Sequence, residues 1–116
     1  MGIENRRHTR VDLDFPVMIR TEKEAIDGRI ENLGPEGTFI RLADPHSLPQ
    51  FVEVEMAIEN CLLPIQIRCE VKWRKGGDNS GVGVWFAAIP SFEKAAIGDF
   101  IYRVIVEQRE WLAQNE

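Results

Sequence analysis

From Leu63 to Trp73 every second residue is apolar. Ile65, Ile67, Cys69, Val71 and Trp73 fall on one side of an extended chain, and Gln66, Arg68, Glu70, Lys72 and Arg74 on the other. A period of two sustained over that length describes a strand with one dry face and one wet face. The sheet that holds it covers a core on one side only, as antiparallel sheets do. Trp73 shares the apolar side and is expected in the core. Phe51 to Ile58 repeats the pattern, with Val52, Val54, Met56 and Ile58 facing one way and Glu53 and Glu55 the other. Shorter extended segments follow from Pro16–Arg20, Ile26–Glu31, Thr38–Leu42 and the run marked by Val82, Val84 and Phe86. Trp85 falls on the face opposite Val82 and Val84 and is expected to be partly exposed.

About six strands joined by short polar connections point to an antiparallel barrel or sandwich. The connections carry the residues that turns require: Asn32–Gly37, the loop from Asp44 to Pro49, and the hairpin-like Gly76–Gly81. At the end of the chain the period changes. Pro90-Ser91 reads as a helix start with Ser91 as N-cap. Ile97, Phe100, Ile101, Val104, Ile105, Trp111 and Leu112 then form one apolar stripe at helical spacing. A helix over about residues 91–114 is expected to cross a barrel mouth and close the core. Trp111 and Leu112 lie beyond the span a small barrel needs, where they could serve a partner or a second subunit.

With 116 residues, 44% hydrophobic and 28% charged, the chain has the size and composition of one ordinary globular domain. Residues 1–14 are polar and aperiodic and read as a flexible arm; 15–116 form the barrel and its helix. Cys61 and Cys69 are too few for a disulfide framework or a zinc site and read as buried thiols. His8 and His46 read as surface residues. No apolar run reaches the roughly 20 residues of a membrane span, and the N-terminus lacks a signal-peptide core, so a cytoplasmic location without membrane attachment is expected. Asp12 and Asp14 have no nucleophile or acid–base partner nearby in the sequence, and no enzyme activity is expected.

The net charge of -5 disfavours non-specific attachment to duplex nucleic acid, which depends on neutralising many phosphates. Against that acidic background Arg6-Arg7-His8-Thr9-Arg10 gathers three guanidiniums. Guanidinium forms bidentate hydrogen bonds with phosphate or with the O6/N7 edge of guanine, and stacks on bases. Arg6 and Arg10, four apart on an arm, can hold a compact anion from two sides. The amide of Asn32 donates and accepts, which suits a purine edge. Gly34 and Gly37 admit close backbone approach and an anion-binding nest.

These segments, in this order, resemble the PilZ domain family, the bacterial receptor module for cyclic di-GMP. Arg6-Arg7-His8-Thr9-Arg10 is similar to its Arg-x-x-x-Arg motif, with Arg6 and Arg10 in the arginine positions. Asn32-Leu33-Gly34-Pro35-Glu36-Gly37 resembles its Asp/Asn-x-Ser-x-x-Gly motif. Val71-Lys72-Trp73 and Gly81-Val82-Gly83-Val84-Trp85-Phe86 look like its late strands, and the resemblance runs from about residue 5 to 107. It implies an all-β fold with a C-terminal helix: a six-stranded antiparallel β-barrel of the split-barrel type, closed by an α-helix. The ligand, cyclic di-GMP, would lie on the outer wall, with no cofactor. Arg6 and Arg10 would contact phosphates and guanine faces and Arg7 would add a contact. Asn32 would bond a guanine edge, Gly37 would fix the turn, and Trp73, at a strand end, is a further candidate to line the site.

Gly34 departs from the pattern, because the family has a serine there. One lost hydrogen bond costs about 0.5–1.5 kcal/mol, or roughly two- to tenfold in affinity. The resemblance implies a non-enzymatic receptor that signals when its arm orders on ligand binding. The signal would pass to a separate protein of motility, pilus, exopolysaccharide or virulence machinery, from a monomer or homodimer. Gly34 favours an alternative, a degenerate PilZ domain that binds no nucleotide and acts as a protein–protein adaptor. A barrel that binds RNA or single-stranded DNA through Trp73, Trp85 and the arginines is a third reading, but it requires a longer basic track than this chain displays.

Overall fold

A computed structural model describes residues 11–58, 63–89 and 91–114. Its six strands are β1 (Val11–Arg20), β2 (Ala25–Leu33), β3 (Gly37–Arg41), β4 (Phe51–Met56), β5 (Ile65–Lys75) and β6 (Gly81–Ala88), followed by the helix α1 (Ser91–Gln114). All pairings are antiparallel, and the order β1-β2-β3-β6-β5-β4 closes into a barrel when β4 returns to β1. The alternating segments bury the sides they were expected to bury. Val52, Val54, Met56 and Ile58 from β4 and its continuation, and Ile65, Ile67, Cys69 and Val71 from β5, are all inside. They meet Ile19, Ile30, Ile40, Val82 and Val84 from the remaining strands in one core. The β1–β4 ladder is the shortest, limited to Met18–Arg20 opposite Glu53–Glu55. Pro16, just upstream, has no N–H to extend it.

The period change at the end of the chain is the helix it predicts. Ile97 and Ile101 are buried in the barrel core, and Phe100 and Val104 pack beside them. The Phe100 ring meets Phe15 of β1 at 5.3 Å in a tilted contact. Ser91 is the first residue of the helix rather than the cap before it. Pro90, Cys61 and His8 lie outside the described residues, as do the side chains of Ile105, Trp111 and Leu112. Burial pushes the Cys69 thiol up to about 12, which leaves it a packed, unreactive group at neutral pH. His46 is exposed.

Two sequence expectations change. The first strand begins at Val11, five residues before Pro16, because Val11 and Asp12 already pair with Leu33 and Asn32 of β2. Trp73 is not in the core: it is 53% exposed. The cause is a β-bulge. Val71 pairs with Val84 but Trp73 pairs with Gly83, so β5 carries one more residue than β6 across this step. An extra residue reverses the in–out parity of everything beyond it, and Trp73 emerges on the outer wall.

Similar irregularities occur in three other strands, β6 among them, where Arg68 pairs with Ala88 but Cys69 pairs with Phe86. The β1–β2 register shifts between Asp12 and Phe15, and the β2–β3 register between Ile30 and Asn32. Bulges re-aim side chains and increase local twist. The one at Ile30/Asn32 and the one at Val71/Trp73 flank β3 and β6 from either side.

Candidate functional site

The outer wall of β2, β3, β6 and β5 bears a groove of about 240 Å³ lined by Glu31, Asn32, Phe39, Lys75, Trp73 and Trp85, among others. Its floor is built by a missing side chain. Gly83 lies opposite Trp73 on one side and Phe39 on the other, and a Cβ at position 83 would overlap the Trp73 indole at Nε1 and Cε2. The indole therefore lies flat across Gly83 and stacks on Phe39, centroids 5.1 Å apart and planes 19° from parallel. Phe39 is buried beneath it, while Trp73 keeps an exposed aromatic surface. Trp85, the next outward residue of β6, is 58% exposed and carries Lys72 Nζ 4.7 Å above its ring. Lys72 is also 3.5 Å from Glu70.

Half of the Asn32–Gly37 segment is strand. Asn32 and Leu33 end β2, Gly37 opens β3, and only Gly34, Pro35 and Glu36 lie between. The Thr38 hydroxyl donates to the Asn32 carbonyl, the Gly34 N–H donates to Gly37 O at 3.0 Å, and the Phe86 N–H donates to Glu36 O at 2.9 Å. These bonds tie the turn to β6. Gly37 serves close approach: a Cβ there would overlap the Val84 carbonyl oxygen. Asn32 stands on the groove with its side-chain Oδ1 buried and without a hydrogen-bond partner among the described residues. A buried acceptor without a donor costs about 1–3 kcal/mol, and an N–H brought to it by a turn of the amide toward the groove would recover that cost.

Beside the groove runs a chain of charges. Arg29 bonds the Asp14 carboxylate, Arg41 Nη2 lies 4.0 Å from it, and Arg41 Nε is 3.1 Å from Glu31. The hydrogen bond from Arg29 holds the Asp14 carboxyl below its ordinary value. A larger depression of about 720 Å³ lies elsewhere, lined by Arg20, Glu22, Lys23, Glu24, Phe51 and Arg68, among others. It contains none of the motif residues. Its charges alternate in sign, and Arg20 is already paired with Glu55 at 2.6 Å. The smaller groove, with its stacked aromatics and unpaired acceptor, is the candidate site.

Of the residues selected from the sequence, Asn32, Gly34 and Gly37 lie together at the end of β2 and the start of β3, and Trp73 joins Asn32 on the groove. Arg6, Arg7 and Arg10 lie outside the described residues. Val11, the residue that follows Arg10, is paired with Leu33, next to Asn32. Glu31 and Phe39 are groove residues that sequence reasoning missed. Phe39 reads locally as one more apolar strand residue, and its pairing with Gly83 is a long-range fact. Among the described residues no group of three His, Cys, Asp or Glu is placed to hold a metal, and no helix is long and apolar enough to cross a membrane.

Comparison with known proteins agrees with this fold. The family model described as PilZ domain matches residues 4–103. The inhibitor of motility MotI/DgrA of Bacillus subtilis superposes with a TM-score of 0.73 at 19% identity, over 90% of this chain and 53% of that one. The Escherichia coli YcgR structure in complex with c-di-GMP gives 0.73 at 14% identity, over 96% and 50%. The PilZ domain of CeSA from a cellulose-synthesizing bacterium gives 0.62 at 14%, over 83% and 97%. The chain thus spans about half the length of the Bacillus and YcgR proteins. A comparison with curated protein sequences finds no match.

Proposed function

The chain belongs to the PilZ domain family, and from that premise we propose that it is a receptor for cyclic di-GMP. The observation that carries this reading is the unpartnered Asn32 Oδ1 beside the exposed face of Trp73. A flat ligand with ring N–H donors and a π-face fits both. Two of the similar proteins are described with c-di-GMP, YcgR and PlzA of Borreliella burgdorferi.

The arginine motif supplies the anionic half of the recognition. Each extended residue reaches about 3.3–3.6 Å, so Arg6, five residues before Val11, commands a radius of roughly 18 Å around the start of β1. Because Val11 pairs beside the Asn32–Gly37 turn, that radius includes the groove. In this proposal Arg6 and Arg10 clasp the phosphates and the outer guanine face, Arg7 adds a contact, and Asn32 and Trp73 hold a base against the wall. Arm ordering on binding changes the surface offered to a partner protein. The receptor works in the cytoplasm and performs no chemistry of its own.

Gly34 favours the second reading, a protein–protein adaptor that has lost its nucleotide. Its own N–H is spent on Gly37 O within the turn, so the backbone at this position does not replace the serine hydroxyl. Gly34→Ser is therefore expected to tighten cyclic di-GMP binding by up to about tenfold, the value of one hydrogen bond, measured by titration calorimetry. The same titration decides the main proposal. Wild type is expected to bind, and Arg10→Ala to lose at least about tenfold through its charged hydrogen bonds. Absence of heat from the wild type at about 100 µM ligand, which places any Kd above about that value, would promote the adaptor.

A further inference from the structure

The bulge at the end of β2 turns two consecutive acceptors onto one groove, and only Asn32 belongs to the motif. Glu31 is the extra residue of the bulge, between Ile30 opposite Ile40 and Asn32 opposite Phe39, and it lines the same groove. Its carboxylate is held by charge, 3.1 Å from Arg41 Nε. That Nε–H is buried and makes no aligned hydrogen bond, so the contact anchors Glu31 without using its lone pairs directionally. Arg41 also faces Asp14, which takes the Arg29 bond. The two arginines and two carboxylates of this cluster balance in formal charge.

We infer that Glu31 is a specificity-determining residue: with Asn32 it forms a paired acceptor that takes the two adjacent donors of a guanine Watson–Crick edge and rejects adenine. This rests on the nucleotide-receptor reading above and deepens it. Guanine presents its ring N1–H and exocyclic N2–H2 side by side, whereas adenine presents one amino donor beside the ring acceptor N1. Acceptors facing an acceptor remain unpaired and desolvated, and such sites reject the wrong ligand strongly. A carboxylate beside a phosphate ligand opposes binding in general, so its value here is discrimination, as in other interfaces that reject a competitor by charge. The aromatic wall accepts either purine, because every base has a π-face.

The test measures cyclic di-GMP and cyclic di-AMP against wild type and Glu31→Gln. Glu31 is half-exposed and its ion pair lies at the surface, so the variant keeps the fold. Wild type is expected to prefer the guanine ligand by about 100-fold or more. Glu31→Gln is expected to lose about tenfold or more for cyclic di-GMP, the value of a charge-assisted hydrogen bond. Its preference over cyclic di-AMP shrinks by a similar factor, since a glutamine amide can donate to adenine N1. An unchanged preference, or equal loss for both nucleotides, overturns the inference and leaves the receptor standing. If wild type binds neither nucleotide, the receptor reading fails and this one with it.

Discussion

Alanine at position 37 is expected to lower the melting temperature by roughly 12–20 °C. Gly37 and Thr38 pair directly with Trp85 and Val84, and the new Cβ would overlap the Val84 carbonyl oxygen. A carbonyl inside a ladder cannot rotate away as a side-chain tip can. The two strands must part, at about 1–3 kcal/mol for the overpacking. The bonds from Gly34 N–H to Gly37 O and from Phe86 N–H to Glu36 O are strained with them, at about 1 kcal/mol each. A total of about 3–5 kcal/mol is a large fraction of the roughly 5–15 kcal/mol that holds a domain of this size. Thermal unfolding followed by far-ultraviolet circular dichroism reads the effect. A shift under about 3 °C would show that β3 and β6 separate freely and that Gly37 has no steric role.

Valine at position 83 is expected to act on binding rather than on the fold. The added side chain points to the outer wall and takes the space of the Trp73 indole. Trp73 must then swing into solvent, uncovering Phe39 and dismantling the stack at 5.1 Å. Loss of one base–aromatic contact costs about 1–3 kcal/mol, and a misplaced indole also blocks the groove. Affinity for cyclic di-GMP should fall about 100-fold, the upper part of the corresponding range, with only a modest loss of stability. Trp73→Ala should give a similar affinity, and the tryptophan emission of Gly83→Val should shift to longer wavelength. Binding by Gly83→Val as tight as wild type would remove Trp73 from the site.

Much of this architecture is legible in local pattern. Alternation between Ile65 and Val71 identifies β5 and its buried side, because a strand exposes every second residue to the same environment over its length. The stripe containing Ile97, Phe100, Ile101 and Val104 identifies α1 by the same logic at a different period. Trp73 shows where such counting stops. Parity assigns it to the core, but the bulge at Val71/Trp73 adds a residue that no neighbour in the sequence announces. Glu31 was hidden in the same way by the bulge at Ile30/Asn32. A bulge is settled by the register of two strands whose pairing partners are far apart in the chain, and each strand alone is compatible with a regular ladder.

The motif glycines divide along the same line. Their presence in the Asn32–Gly37 segment marks a turn, and the turn is there between Leu33 and Gly37. That Gly37 is needed for the approach of Val84, and that Gly83 is needed as a bed for Trp73, depends on β3 lying beside β6, a neighbour contributed after two intervening strands.

The sequence by itself determined six strands, a closing helix, the buried residues of the regular stretches and the ordered motifs that place the chain in its family. Those properties follow from short-range periodicity and from residue types with fixed backbone preferences. Tertiary structure alone decided that Trp73 faces outward on Gly83 and Phe39, that Asn32 Oδ1 is left without a donor, and that Glu31 stands beside it on the groove. Each of these depends on strand register across the barrel, and register is set by the whole core packing at once rather than by any segment within it.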